Sequence, residues 1–336
     1  MFDNNTQLIE ELNLNSLRGI LKQLRNASVS ELSRLSGLEN SITEELSEKL
    51  CVSGEFEKQN GGSETCYSFN SKYKLALTIC VLEKNKLAVA VSDLNNEYLE
   101  KKEIDEHPET LDFLDGIVED YLTKFPSINM LAFAMAGFEV AGKGLFIAID
   151  FPKLKGYFRR HFLEKYKLPC ILENDIKAAV LGHYQNHYSG KNRCVAALYI
   201  PRTHHSGSAA CINGRIYRGK DNTAGEVSYL DTPIRWKPSA PNDDKVDFSQ
   251  INISEYIADL AVPQIVFLNP HRLVVYGNWL PENTEKEVRA LLLESIPREF
   301  LPKLVFVPDV LPDVLDGLSC RALKLLKPKV KFFNNS

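Results

Sequence analysis

Apolar positions open the chain at three- and four-residue steps: Leu17, Ile20, Leu21 and Leu24 fall on one face of a predicted helix. Ser28-Val29-Ser30-Glu31 has the form of a capping box and starts a second helix, which stops at Gly37. A third helix carries Leu38, Ile42, Leu46 and Leu50 on one face. The period then shortens. Glu55-Phe56 and Cys66-Tyr67-Ser68-Phe69 predict two short strands, with Gly61-Gly62-Ser63 as the turn between them. Three helices and a hairpin within about 70 residues predict a winged helix-turn-helix.

A second pattern begins near Lys74. Leu75–Val81 and Leu87–Val91 are strands on either side of Glu83-Lys84-Asn85-Lys86. Leu111–Thr123, Leu154–Tyr166 and Ile176–Tyr188 predict helices that alternate with extended Met130–Met135 and Cys170–Leu172. A further block opens with Cys194–Ile200 and continues to a hairpin at Asn213-Gly214. The polar, Pro-containing stretch Asp231–Gln250 predicts a loop. Beyond it come a helix through Ile253–Phe267, a strand at Leu273–Tyr276, a helix through Glu285–Leu293 and a strand at Leu304–Val307. Alternation of this kind predicts α/β layers, and two such lobes suit a small ligand held between them.

Composition narrows the function. A chain of 336 residues with net charge −4 offers no bulk attraction for nucleic acid or an anionic membrane. No apolar run is long enough to span a bilayer, and the first residues lack the form of a secretory signal. Seven scattered cysteines fit free thiols in a reducing cytoplasm, without the close spacing of a zinc site.

Four stretches carry candidate chemistry: Glu173–Ala179, Ile212–Gly219, Ala224-Gly225-Glu226-Val227, and Asn269-Pro270 followed by Gly277 after a strand. Together they resemble the ROK family of repressors and sugar kinases, over nearly the whole chain and including the N-terminal winged helix of the repressor branch. The resemblance implies the two-lobed actin-like, ribonuclease-H-like ATPase fold with a sugar in the cleft. It also implies sugar-binding roles for Asn174, Asp175 and Glu226, and a general-base role for Asp175 were the protein a kinase. Carboxylates suit paired sugar hydroxyls because they accept two hydrogen bonds at once. The residues alone leave another reading open, in which Asn174 and Asp175 only cap the helix that follows.

Departures from the family pattern weigh against phosphoryl transfer. Val81, Glu83 and Asn85 stand where the resemblance implies the Asp, Gly and Thr of a first phosphate loop. Valine offers a magnesium ion no oxygen, and a glutamate replaces the glycine that lets backbone amides approach phosphates. In Thr203–Ala209 only Gly207 remains of a second glycine-rich loop, and His204-His205 there reads as a polar loop. No cysteine occurs between Cys211 and Cys320, so the family's zinc motif is absent. No zinc, ATP or magnesium cofactor is therefore expected.

The third helix would be the DNA-reading one, with Asn40, Ser41, Thr43, Lys49 and Lys58 as candidate contacts. Residues 1–62 hold six Lys and Arg against ten Asp and Glu, a charge of −4 that opposes phosphate binding. The expected organisation is a winged helix at 1–72, a first lobe at 73–190 and a second at 191–336, whose final helix is free to return to the first lobe. The expected function is a cytoplasmic, homo-oligomeric, sugar-responsive regulator without kinase activity. It would bind a sugar or sugar phosphate and operator DNA. A divergent ATP-dependent sugar kinase and a non-DNA-binding interaction protein are the alternatives.

Overall fold

The computed structural model describes residues 2–59, 64–83, 86–106, 108, 110–140, 143–148, 156–202, 204–234 and 246–326. These fall into two compact units. The smaller takes its residues from Met1–Leu75, Asp93–Glu97 and Leu323–Ser336, the larger from Ala76–Ser92 and Tyr98–Ala322.

In the smaller unit, α1 (Phe2–Leu24) is followed by β1 (Asn26–Ser28), α2 (Val29–Ser36), α3 (Asn40–Val52), β2 (Phe56–Gln59) and β3 (Cys66–Phe69). The Ser28 hydroxyl accepts the Glu31 N–H at 3.3 Å, and Gly37 ends α2 at φ +74°, a left-handed cap that suits glycine. The strands pair antiparallel in the order β1-β3-β2. Leu17, Leu21, Leu32, Leu50, Phe56 and Tyr67 form a buried core. Arg18 clamps Glu55 through Nε and Nη2 at 2.7 and 2.8 Å, fixing α1 against the turn into β2. The predicted turn at 61–63 lies outside the described residues.

The larger unit contains two five-stranded sheets. The first is ordered β10-β7-β4-β5-β6, built from β4 (Leu75–Glu83), β5 (Lys86–Ser92), β6 (Tyr98–Ile104), β7 (Ile128–Met135) and β10 (Cys170–Asn174). The second is ordered β13-β12-β11-β14-β15, from β11 (Cys194–Tyr199), β12 (Gly207–Ile212), β13 (Arg215–Ile216), β14 (Arg272–Tyr276) and β15 (Lys303–Val307). A small hairpin, β8 (Gly137–Glu139) with β9 (Phe146–Ala148), precedes α5 (Phe158–Tyr166). The remaining helices are α4 (Leu111–Lys124), α6 (Asp175–Tyr188), α7 (Ile253–Leu268), α8 (Thr284–Ser295) and α9 (Leu311–Leu326). Asn213 and Gly214 both take positive φ between β12 and β13, as a primed two-residue turn requires.

Two helices cross over from the sheet that precedes them. α6 follows β10 of the first sheet yet packs on β11 and β12 of the second. α9 follows β15 of the second sheet and reaches the first, through Ser319 to Ser92 at 2.7 Å and Asp316 to the Tyr98 hydroxyl at 2.7 Å. They meet at two glycines. A Cβ on Gly182 would lie 1.9 Å from the Asp313 carbonyl oxygen, and one on Gly317 would lie 1.9 Å from that of Ala178.

Candidate functional site

β10 runs parallel to β7 and ends with Asn174 opposite Met135, where the chain turns directly into α6. Asn174 caps that helix. Its Oδ1 accepts the Lys177 N–H at 3.2 Å, while its Nδ2 donates to the Gly137 carbonyl at 3.1 Å. Gly137 must be a glycine here, because its φ is +130° and a Cβ would lie 2.3 Å from the Ile147 carbonyl oxygen. Asp175 begins α6, is buried, and accepts the Ile176 N–H on Oδ1 at 2.8 Å. Capping and ligand binding therefore compete for the same side chains.

Glu226 follows Gly225, whose φ of +95° brings its backbone so close that a Cβ would sit 2.2 Å from the Ser208 carbonyl oxygen. Burial pushes the Glu226 carboxyl above the usual glutamate range, with the Lys177 charge pulling the other way. Lys177 links the three expected residues. It is 2 % exposed, donates its Nζ to the Asn222 carbonyl, and feels the charges of Glu226, Glu173 and Asp175. Burial nonetheless holds its ammonium below the ordinary lysine value.

Beside Asn174 and Lys177 lies a cavity of about 170 Å³ whose charged lining is Glu139, Arg159, Glu173, Lys177, Arg218 and Arg321. That is smaller than the roughly 300–1,000 Å³ of drug-sized ligand sites. Glu173 is buried and takes both Nη atoms of Arg218 and Nη1 of Arg321. Burial opposes its charge, but the Arg218 hydrogen bonds and the Arg321 and Arg218 charges win, and its carboxyl stays below the ordinary range. Arg159 pairs with Glu139 through Nε and Nη2. The sequence pattern did not reveal these arginines. They lie on α5, after β13 and on α9, and Arg321 is 148 positions from its partner Glu173.

At the one position of the implied first phosphate loop whose side chain is described, Val81 offers magnesium no oxygen. Val81 is completely buried in β4, opposite Leu87 of β5. Asn85, Lys84 and Thr203 lie outside the described residues, as do the side chains of Glu83 and Lys86. No group of three His, Cys, Asp or Glu among the described residues could hold a metal ion. All seven cysteines are free thiols. No described helix is long and apolar enough to cross a membrane.

Of the candidate nucleic-acid contacts, Asn40, Ser41, Thr43 and Lys49 lie on α3 and Lys58 lies on β2. Asn40 and Ser41 are exposed at the start of α3. Thr43 is completely buried within the smaller unit, unlike the two residues before it in the expected contact set. Lys49 pairs with Glu10 and Glu45, each at 3.0 Å, and Lys58 pairs with Glu48, which also accepts the Tyr67 hydroxyl. Both lysines are thus committed to carboxylates of their own chain.

Comparison with known proteins finds a family match over part of the chain. One curated relative, "Uncharacterized protein CPE0188" of Clostridium perfringens (strain 13 / Type A), is 31 % identical over 90 residues, 26 % of this chain. The chain spans only 30 % of that relative's length. A crystal structure of a ROK family transcriptional regulator, a homologue of the E. coli MLC protein, aligns with TM-score 0.65 and 15 % identity over 94 % of this chain and 99 % of its own. A ROK family protein from Streptococcus pneumoniae TIGR4 in complex with sucrose aligns with TM-score 0.59 and 18 % identity, over 75 % of this chain and 99 % of its own. ROK sugar kinases also share the fold. The family model described as ROK matches residues 82–233, and that segment is a ROK-family segment.

Proposed function

We propose that the chain is a sugar-responsive transcriptional regulator without kinase activity, in which the smaller unit serves as a winged helix-turn-helix. The observation that carries this reading is a contrast within the larger unit. A charged cavity adjoins Asn174, while Val81, where magnesium would need an oxygen, is a fully buried apolar side chain. A sugar would bind at the cavity with Asn174 as a hydroxyl partner in its lining, its present hydrogen bonds exchanging for ligand bonds, while Asp175 and Glu226, outside the lining, would reach the same sugar from beyond Lys177. Asn40 and Ser41 would face DNA, and Lys49 and Lys58 would exchange glutamate for phosphate.

Two assays test this reading. The full chain is expected to retard DNA from upstream of its own gene at low salt, with the shift altered by a sugar or sugar phosphate. No retardation at low salt would sink the DNA-binding half. A coupled ATP-consumption assay across hexoses and amino sugars is expected to stay at background, and turnover near about 1 s⁻¹ would sink the non-catalytic half.

A second reading, a divergent kinase with Asp175 as the base, draws support from the buried position of that carboxylate at a helix start. Asp175→Ala separates the two. It would abolish ATP turnover in a kinase, whereas in a regulator it would change only ligand response.

A further inference from the structure

We propose that the cavity beside Asn174 takes a sugar bearing an anionic oxyacid group, a phosphate ester or a carboxylate, gripped by Arg159, Arg218 and Arg321. The inference rests on the sugar-site reading and specifies its ligand class.

Four cations and two carboxylates line the cavity. Asp175 and Glu226 also act on Lys177, but neither lines the cavity. Counting those two with the lining sets four cations against four carboxylates, so the positive excess is local: within the lining itself, three guanidinium groups face two carboxylates. A neutral sugar would leave that excess uncompensated in a partly desolvated space. A phosphate monoester carries about −1.5 to −2 charges near neutral pH, and a carboxylate carries one.

Donor geometry agrees. Each guanidinium has five N–H groups. Among the described residues, Arg321 commits one nitrogen to Glu173, while Arg159 commits Nε and Nη2 to Glu139. N–H groups are thus left to fork onto an oxyanion. The arginines also crowd one another. Burial lowers the Arg321 value, and although Glu173 pulls it up, the Arg218 and Arg159 charges push it further down. An incoming anion would relieve that repulsion.

The test is calorimetric titration of the full chain with glucose, mannose and N-acetylglucosamine, each against its 6-phosphate, alongside glucuronate and inorganic phosphate. At least one 6-phosphate, or glucuronate, is expected to bind at least about tenfold more tightly than its neutral parent, the worth of one charge-assisted hydrogen bond. Which of the two prevails identifies the source of the anion. Arg159→Gln is the first variant, because its side chain is 43 % exposed and its loss is compatible with folding. It is expected to erase most of the contrast while leaving neutral-sugar affinity in place. Arg321→Gln should do the same, with circular dichroism reporting whether it folds.

Free sugars binding as tightly as their anionic forms would overturn the anion inference and leave the sugar reading standing. The same outcome follows if the contrast survives Arg159→Gln. Inorganic phosphate binding as tightly as every sugar phosphate would support the anion site and sink the sugar reading. No binding by any probe would overturn both.

Discussion

The lysine pairs of the smaller unit and the Glu173 cluster of the larger unit hold their charges under opposite conditions. In the smaller one, the Lys49 and Lys58 pairs lie at the surface, with side chains 47 % and 38 % exposed. In the larger one, Glu173 keeps 2 % side-chain exposure between Arg218 and Arg321. Exposed pairs contribute little because water screens them and long side chains lose entropy. A buried pair is costly to break, because removing one partner strands the other in a medium that solvates it poorly. The first kind can release its cations to a phosphate backbone. The second fixes the walls of the cavity it lines.

Breaking the buried cluster should have the largest effect. Glu173→Ala leaves Arg218 and Arg321 facing one another and is expected to lower stability by about 3–5 kcal/mol, read as a fall in the urea midpoint. Gly317→Ala separates packing from charge. Its new Cβ would meet the Ala178 carbonyl at 1.9 Å, and a loss of about 1–3 kcal/mol is expected with the ion pairs untouched.

Acid sharpens the contrast further. The Glu173 carboxyl is held below its ordinary value of 4.5, so it contributes stability above that pH and loses it as the pH falls through the lower folded-state value. Glu226 has the opposite sign. Its carboxyl is raised, so its contribution is present below 4.5 and is lost as pH rises through the raised value. Urea midpoints measured across acid pH should therefore lose one slope in Glu173→Gln and the other in Glu226→Gln. Lys58→Ala should have the smallest effect, leaving the urea midpoint almost unmoved, since its pair with Glu48 is exposed and screened by water. If the unit binds DNA, the same variant should reduce the salt slope of binding by about one.

Much of the fold was legible where local rules act. Ser28, Gly37 and the Asn213-Gly214 turn announce their backbone requirements within a few residues. β6 went unread because its residues Tyr98–Ile104 are mostly polar and rely on pairing with β5. The hairpin of β8 and β9 was missed because each strand has only three residues. Asn174 and Asp175 were visible as a pair on a helix start, and Glu226 was marked by its preceding glycine. The arginine cavity was invisible for a physical reason. Arg159, Arg218 and Arg321 meet only through the crossing of elements distant in sequence, and each alone reads as a solvated surface cation. The burial of Thr43 was not legible because a hydroxyl on a helix carries no mark of the face it occupies until the helix is packed.

The crossing of α6 and α9 bears on how a bound molecule would be felt elsewhere. At Gly182 and Gly317 one helix backbone rests directly on the other, with no side chains between them to act as a cushion. Any side chain there would collide with the opposite backbone, so the two helices can approach this closely only through glycine. Glu173 lies just ahead of α6 and Arg321 lies on α9, so whatever tightens or loosens that salt bridge applies torque to the joint. A ligand that disturbed the salt bridge would therefore be felt where the two helix backbones touch.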